Sequence, residues 1–332
     1  MKALFNLAGK GLAVAAAAFA LGTASQAGIL TVTAPADGAF VGSSTNITFR
    51  ISGGVVEVLV RAVITSQVNG ATTTIETRVT PDENGNVPSG SMNWSPSASF
   101  PEGAYLIRVT ATEPGNTYKP TEIDVTLDRL DPRLFEYSPI NNSFINGPIV
   151  VSSLVDEPNI DTWRVTVNDA DLPNNTGSTP KIGVLWDPSN IELDGEQTVK
   201  IIVRDLAQNE STQTITVTLD RAAPVINVVY PRVNQEIIPG SLVTVLILIQ
   251  DISSTSVDPV SVVAEIQQMN GTVIRRVSRL AYEEVNSTTA RWIGRWRAVT
   301  PPGVEEFRLV VNVVDRAGNV AVPQIVPLRF GR

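Results

Sequence analysis

The sequence predicts an all-β protein built from three tandem β-sandwich domains, and three observations support this fold class. A tryptophan, a glycine seven to nine residues later and an alternating apolar strand recur about every hundred residues. Short runs rich in valine, isoleucine and threonine are separated by glycine, proline, asparagine and aspartate, as in sandwich folds. No segment after residue 27 shows helical periodicity. A pattern that repeats at a fixed period indicates copies of one domain.

The first 27 residues have the pattern of a cleaved signal peptide. Lys2 and Lys10 supply positive charge, Leu12 to Leu21 is a short apolar run, and Ser25-Gln26-Ala27 offers small residues for cleavage after Ala27. The apolar run is too short for a membrane-spanning helix, which needs about 20 residues. We therefore predict an exported protein that is periplasmic, extracellular or associated with the cell surface, without a transmembrane segment.

The remaining chain divides into three predicted domains at residues 28–130, 131–222 and 223–332. Each opens with an apolar strand that ends in proline and closes with period-two alternation. The linkers 126–132 and 218–224 are nearly identical, short and proline-containing, so we expect them to be stiff. The sequence thus predicts three sandwiches in an elongated array.

The repeated tryptophans are predicted to fill the domain cores, since a sandwich needs a large apolar side chain there. Their alternative role is an aromatic platform for a ligand. The run from Arg291 to Val299 favours the core, because its alternation places Trp292 and Trp296 on one face and arginines on the other. The repeats pair Trp94 with Gly103, Trp186 with Gly195, and Trp296 with Gly303.

Composition argues against most catalytic chemistry. The chain has no cysteine and no histidine, so disulfides, cysteine- or histidine-based metal sites and histidine-assisted nucleophiles are excluded. Two carboxylate pairs, Asp169 with Asp171 and Asp156 with Glu157, could be proposed for a glycosidase. Turn residues on an acidic surface are the favoured interpretation of both pairs. We therefore predict that the protein is not an enzyme.

Charge is uneven along the chain. Residues 131–222 carry 14 acidic and six basic side chains, whereas residues 223–332 carry nine acidic and 11 basic ones. The basic cluster could be a patch for an anionic polysaccharide or nucleic acid, or simply an outer sheet face balanced by Glu283 and Glu284. A nucleic acid partner is not predicted, because the protein is acidic overall and lacks interleaved aromatics. The cluster comprises Arg275, Arg276, Arg279, Arg291, Arg295 and Arg297.

Together these motifs resemble the bacterial immunoglobulin-like (Big-type) repeats of exported and cell-surface proteins. The resemblance rests on the proline-turn-glycine openings, the late tryptophan and glycine, the Asp315-Arg-Ala-Gly-Asn319 turn and the Leu219-Asp-Arg-Ala-Ala-Pro224 linker. It covers essentially the whole chain after residue 27 and implies immunoglobulin-like sandwiches. It also implies a non-catalytic structural or adhesive role with a protein or polysaccharide partner at the cell surface. The alternative is a soluble accessory or carbohydrate-binding protein associated with a secreted enzyme, for which Tyr118, Tyr137 and Tyr282 could stack on a sugar.

Calcium is the one cofactor that the sequence suggests. In such sandwiches, the loops after the second and sixth strands lie at the pole where the chain enters, beside the linker. Hard cations prefer several oxygen ligands, and clustered acids repel unless something neutralises them. The alternative is that these aspartates cap turns and keep the protein soluble. The acids are Asp131, Asp156, Glu157, Asp161 and Asp205 at the pole where the chain enters the second domain, and Asp220, Asp251, Asp258 and Asp315 at the corresponding pole of the third.

Overall fold

A computed structural model describes residues 27–331, and the chain divides into two compact units, residues 1–129 and 130–332. Apart from Ala27, the predicted signal peptide lies outside the described residues. Strands and two short 3₁₀ turns, Pro188–Asn190 and Pro259–Ser261, make up the regular structure. Within residues 27–331 no helix is long and apolar enough to cross a bilayer.

The described part of the first unit, residues 27–129, is a sandwich of nine strands. One layer has the order β1-β3-β6 and the other has the order β2-β9-β7-β4-β5, and β8 joins them by pairing with both β1 and β7. The strands are β1 (Ala27–Ala34), β2 (Ala39–Val41), β3 (Thr45–Ser52), β4 (Val58–Ser66), β5 (Thr72–Val79), β6 (Val87–Trp94), β7 (Gly103–Glu113), β8 (Asn116–Tyr118) and β9 (Thr121–Leu127).

The second unit contains two further sandwiches. The first of them packs sheet β10-β12-β15 against sheet β11-β17-β16-β13-β14. Its strands are β10 (Arg133–Ser138), β11 (Ser143–Ile145), β12 (Ile149–Asp156), β13 (Ile160–Val167), β14 (Ala170–Gly177), β15 (Lys181–Trp186), β16 (Gly195–Asp205) and β17 (Glu210–Leu219).

The last sandwich packs sheet β18-β20-β24-β23 against sheet β19-β26-β25-β21-β22. Its strands are β18 (Val225–Tyr230), β19 (Gln235–Ile237), β20 (Leu242–Gln250), β21 (Val263–Gln268), β22 (Val273–Arg276), β23 (Ala281–Asn286), β24 (Thr289–Arg297), β25 (Glu306–Asn312) and β26 (Gln324–Phe330).

All three sandwiches repeat one topology. The first strand pairs antiparallel with the next long strand, the chain then kinks at a proline, and a three-residue strand joins the opposite sheet parallel to the closing strand. The prediction of an all-β fold of three tandem immunoglobulin-like sandwiches is therefore confirmed. The residue limits 28–130, 131–222 and 223–332 stay a prediction.

Each sandwich has its own apolar core. Trp94, Trp186 and Trp296 are buried in the three cores in turn, which confirms their predicted packing role. Period-two alternation produces these cores, because in β4 every second residue, beginning with Val58, points inward. The repeated glycine has a backbone reason: Gly103 and Gly195 adopt φ of 121° and 136°, which side-chain-bearing residues rarely adopt.

Candidate metal centre

Three carboxylates meet where the chain enters the third sandwich. Asp220 follows β17, Asp251 follows β20, and Asp315 lies in the turn after β25. One carboxylate oxygen from each residue lies within 4.8 Å of the corresponding oxygens of the other two. Asp220 and Asp315 are buried and Asp251 is half-buried. We call these three residues the carboxylate triad.

Backbone pairing positions Asp220 and Asp251. The Asp220 N–H donates to the Ile145 carbonyl at 2.8 Å, which continues the contact between β17 and β11 into the linker. The Asp251 N–H donates to the Thr288 carbonyl at 2.9 Å, beside the β23–β24 hairpin. The Asp251 carboxylate accepts hydrogen bonds from the Ser256 hydroxyl at 2.6 Å and the Ile252 N–H at 2.9 Å. Its orientation toward the triad is therefore held by its own loop.

Asn319 positions the third carboxylate. Its backbone N–H and its side-chain amide donate to the two oxygens of Asp315, at 2.7 and 2.8 Å. The same side chain reaches the second sandwich, because its Oδ1 accepts a hydrogen bond from the Asn146 amide at 3.2 Å. The Asp315–Asn319 turn motif therefore orients the Asp315 carboxylate and contacts the second sandwich.

Asp220 is poorly satisfied by the described residues. Its Oδ1 accepts one hydrogen bond from the Ala222 N–H at 3.3 Å, whereas its buried Oδ2 has no hydrogen-bond partner among them. Burial, together with the charges of Asp251, Asp315 and Asp194, raises the pKa of Asp220 to about 7 against the Ala222 hydrogen bond. Burial also raises the pKa of Asp251, opposed by its hydrogen bonds from Ser256 and Ile252. Three adjacent anions at this position require a proton or a cation to neutralise them.

The donor set fits a hard divalent cation. Ca²⁺ binds oxygen at about 2.3–2.6 Å, so opposite ligands of one ion lie about 5 Å apart, and the triad oxygens fall within that span. The triad offers oxygen only, which disfavours zinc and other metals that prefer nitrogen or sulfur. Ca²⁺ takes roughly six to eight oxygen ligands. Three carboxylates supply part of that number, so water and backbone carbonyls would complete the coordination shell.

The other predicted ligands have different surroundings. Asp258 caps a 3₁₀ turn by accepting a hydrogen bond from the Val260 N–H at 3.0 Å. Glu157 and buried Asp205 approach each other, with carboxylate oxygens within 4.8 Å. The remaining three are exposed, and of these the Asp161 carboxylate accepts a 3.5 Å hydrogen bond from Gln208. They are Asp131, Asp156 and Asp161.

The turn that holds Asp315 also recurs in the second sandwich. There the two oxygens of Asp205 accept hydrogen bonds from the backbone N–H of Asn209 at 2.9 Å and from its side-chain amide at 2.8 Å. The Asp–Asn spacing of four residues therefore predicts the same local geometry in both sandwiches.

The first sandwich satisfies its equivalent acid internally. Glu113 accepts hydrogen bonds from the Tyr118 hydroxyl at 2.7 Å, the Asn116 amide at 2.6 Å and the N–H groups of Val55 and Val56. Burial favours the protonated acid, but these donors outweigh it and lower the pKa of Glu113 to about 2. The shorter Glu-Pro-Gly-Asn turn in the sequence signals this difference.

Other side chains singled out in the sequence lie in ordinary ion pairs and ring contacts. Asp169 forms an ion pair with Lys200 at 2.6 Å, and Asp171 forms one with Arg164 at 2.6 Å. The Tyr282 ring packs edge-on against buried Trp292, with 5.3 Å between ring centroids. Conversely, the sequence did not reveal Ser256 and Asn146, because their roles depend on contacts between separate loops.

Comparison with known proteins identifies neither a family nor a curated relative. No protein-family profile matches the chain, and no curated protein matches it. Among solved structures, the chain is similar to fibronectin(III)-like modules of Clostridium thermocellum CbhA, at 13% identity over 60% of this chain and 94% of that one, with a TM-score of 0.38.

Two adhesins are also similar in structure. A tetra-tandem repeat from the extending region of a large adhesion protein matches at 16% identity, covering 92% of this chain and 74% of that one, with a TM-score of 0.31. A bacterial ice-binding adhesin matches at 17% identity, covering 92% and 98%, with a TM-score of 0.28. The fold follows from the sheets and cores themselves.

Proposed function

We propose that this protein is an exported, non-catalytic structural or adhesive protein whose second and third sandwiches are tied together by a bound divalent cation, Ca²⁺. The observation that carries the proposal is the carboxylate triad with the buried, unpartnered Oδ2 of Asp220. The triad combines one residue from the linker with two from the third sandwich. A cation bound there would neutralise the mutual repulsion and fix the linker against that sandwich.

The export half of the proposal follows from the amino-terminal pattern. Oxygen-only Ca²⁺ sites of extracellular modules have dissociation constants of roughly 10⁻⁴ to 10⁻³ M. A site built from three carboxylates, with the rest of its shell from water or backbone, suits that range. The sandwiches would then present sheet faces and loops to a protein or polysaccharide partner at the cell surface. The Big-type character of the sandwiches is inferred from sequence motifs alone.

Calcium titration of the purified protein tests the cation site. We expect isothermal calorimetry to detect binding, and saturating Ca²⁺ to raise the free energy of unfolding by about 3 kcal/mol when its concentration is about 100 times the dissociation constant. Asp220→Asn, Asp251→Asn and Asp315→Asn should each weaken binding. Asp258→Asn is the matched control, because asparagine keeps the turn cap and Asp258 lies outside the triad.

Two outcomes would sink the cation proposal. One is the absence of both binding heat and stabilisation at millimolar Ca²⁺, and the other is an equal loss of affinity in the control variant. Localisation needs a separate measurement, namely fractionation of native cells with an antibody against the protein. Recovery in the envelope or the medium supports export, whereas recovery in the cytosol contradicts it.

A further inference from the structure

The end of the third sandwich farthest from the triad has an unusual surface. β18 runs away from the triad and β20 runs back toward it. The two ends of the sandwich therefore lie about 30 Å apart, the length of the nine residues of β20. Three loops form the far end: the turn between β18 and β19, the turn between β19 and β20, and the loop after β24. We call residues 230–242 and 297–301 the terminal pole.

Hydrogen bonds join the second and third of these loops. The Gly240 N–H donates to the Ala298 carbonyl at 2.8 Å, and the Ala298 N–H donates to the Ser241 carbonyl at 2.9 Å. The Arg297 guanidinium donates to the Gly240 carbonyl at 2.9 Å. The terminal pole is therefore an ordered surface.

Aliphatic side chains protrude from all three loops of the pole. Val233 is 61% exposed, Ile238 69%, Leu242 58% and Val299 49%. Two of them, Ile238 and Leu242, line a hollow of about 670 Å³ that also has Tyr230 in its wall. Single exposed aliphatic residues are ordinary on a protein surface, but a group gathered at one end marks an interaction site.

The first two sandwiches use the position of Val233 differently. Asp37 in the first accepts a hydrogen bond from the Asp124 N–H at 2.8 Å, and Asn141 in the second accepts one from the Thr216 N–H at 2.8 Å. The next turn residue donates its N–H to the carbonyl of the same strand residue, Gly38 to Asp124 and Asn142 to Thr216. A polar side chain is therefore needed there to cap a strand N–H group.

Proline removes that need in the third sandwich. Asn234 donates its N–H to the Pro327 carbonyl at 2.8 Å, so Pro327 takes the place of Asp124 and Thr216. Because proline has no N–H group, the side chain at position 233 has no strand N–H to cap. Valine at position 233 thus costs no hydrogen bond, and its side chain is available for contact outside the sandwich.

Arginines flank the aliphatic tips. Arg232 borders the hollow, and Arg275 and Arg297 border a second hollow together with Val299. Among the described residues, none of these three arginines has a carboxylate within salt-bridge distance. Glu236 is the acidic side chain at the first hollow. The pole therefore combines protruding aliphatic groups with arginines that have no ion-pair partner in the described part of the chain, and exposed Glu236 and Glu305 lie at the same end.

We propose that the terminal pole docks on an anionic lipid surface, where Val233, Ile238 and Val299 enter the headgroup region. Aliphatic residues on separate loop tips can insert into a fluid lipid interface. Each arginine beside them would contribute about 1 kcal/mol to binding anionic headgroups. A nucleic acid or sugar chain would instead call for several aromatic platforms, whereas the pole has one aromatic ring, Tyr230, whose hydroxyl accepts a hydrogen bond from Gln235. The inference goes beyond the proposed structural function and does not depend on the cation site.

Sedimentation with lipid vesicles tests the inference. The full chain is mixed with vesicles of phosphatidylcholine and phosphatidylglycerol, and with vesicles of phosphatidylcholine alone. We expect binding to the anionic vesicles that weakens with added salt. Val233→Asp and Ile238→Asp should each lower the partition coefficient by about tenfold, the fold-change equivalent to about 1.4 kcal/mol. Arg232→Gln and Arg297→Gln should lower it on anionic vesicles only.

Val322→Asp is the matched control, because Val322 is 84% exposed in the same sandwich but precedes β26, at the triad end. Its binding should equal that of the wild type. Thermal melting of each variant checks that it folds. The inference is overturned if the wild type does not bind, binds both vesicle types equally, or loses binding equally in the control. Self-association that Val233→Asp abolishes, without vesicle binding, would also overturn it and identify a second copy as the occupant.

Discussion

The side-chain amide of Asn319 donates a hydrogen bond to the backbone carbonyl of Asp220 at 2.8 Å. Asn319 belongs to the turn after β25, whereas Asp220 belongs to the linker that leaves the second sandwich. The same asparagine orients Asp315 and accepts a hydrogen bond from Asn146. One side chain therefore connects the linker, a triad carboxylate and the second sandwich.

Replacing this asparagine should loosen the junction. We expect Asn319→Ala to lower the free energy of unfolding by about 1–3 kcal/mol, because partly buried groups lose their partners. It should also weaken Ca²⁺ binding, since Asp315 loses both its side-chain donor and its fixed orientation. Urea unfolding with and without Ca²⁺ measures both effects. Asn227→Ala is the control, because Asn227 is exposed on β18. Equal stability and equal Ca²⁺ affinity of the two variants would contradict the role of Asn319 at the junction.

The triad should make stability without calcium depend on pH. The pKa of Asp220 is raised to about 7 in the folded state, so the folded protein holds a proton that the unfolded chain releases near pH 4. The free energy of unfolding should therefore fall as pH rises from about 4 to about 7.

Denaturant unfolding in a chelator across that pH range measures the slope. Asp220→Asn should flatten it, because the amide does not titrate, and saturating Ca²⁺ should remove or reverse it. Other carboxylates contribute their own slopes, so the difference between wild type and variant is the informative quantity. An identical slope in the two proteins would show that Asp220 ionises normally.

Glu113 should act in the opposite direction in the first sandwich. Its pKa is lowered to about 2, so its stabilisation is present above its ordinary pKa and is lost as the pH falls toward 2. Glu113→Gln should cost about 2 kcal/mol at neutral pH and less under acid conditions, because it weakens hydrogen bonds to a charged acceptor. Glu122→Gln is the control, since its exposed ion pair with Arg108 should contribute about 0–1 kcal/mol. Acid titration of unfolding compares them.

The linker arginine should stabilise the second sandwich. Arg221 donates to Asp194 from its backbone N–H at 2.8 Å and from its guanidinium at 2.7 Å, and it also reaches the Ile191 carbonyl at 2.9 Å. Arg221→Ala should lower the free energy of unfolding by about 1–2 kcal/mol, since these are charge-assisted bonds.

Arg204→Ala provides the comparison for Arg221, because Arg204 forms a more exposed pair with Glu210. Urea unfolding of both variants measures the difference. Arg129 repeats the contact on Glu102 in the first unit, so the same experiment on Arg129→Ala should give a similar loss. A negligible loss for Arg221→Ala would show that the linker contact is not stabilising.

The sequence by itself determined the fold class, because strand alternation, turn residues and the repeated tryptophan and glycine are local signals. Those signals set which face of each strand is apolar, and burial of those faces leaves few arrangements besides sandwiches. The sequence also predicted that Asp220, Asp251, Asp258 and Asp315 gather at one pole of the third sandwich.

Only the tertiary structure decided which acids converge. Asp258 is close to Asp251 along the chain, yet it caps its own turn, whereas Asp315 is distant in sequence and joins the triad. Likewise, the exposure of Val233 depends on Pro327 in a strand far along the chain. Carboxylate position, burial and hydrogen-bond satisfaction arise from contacts between separate loops, and local sequence patterns do not encode those contacts.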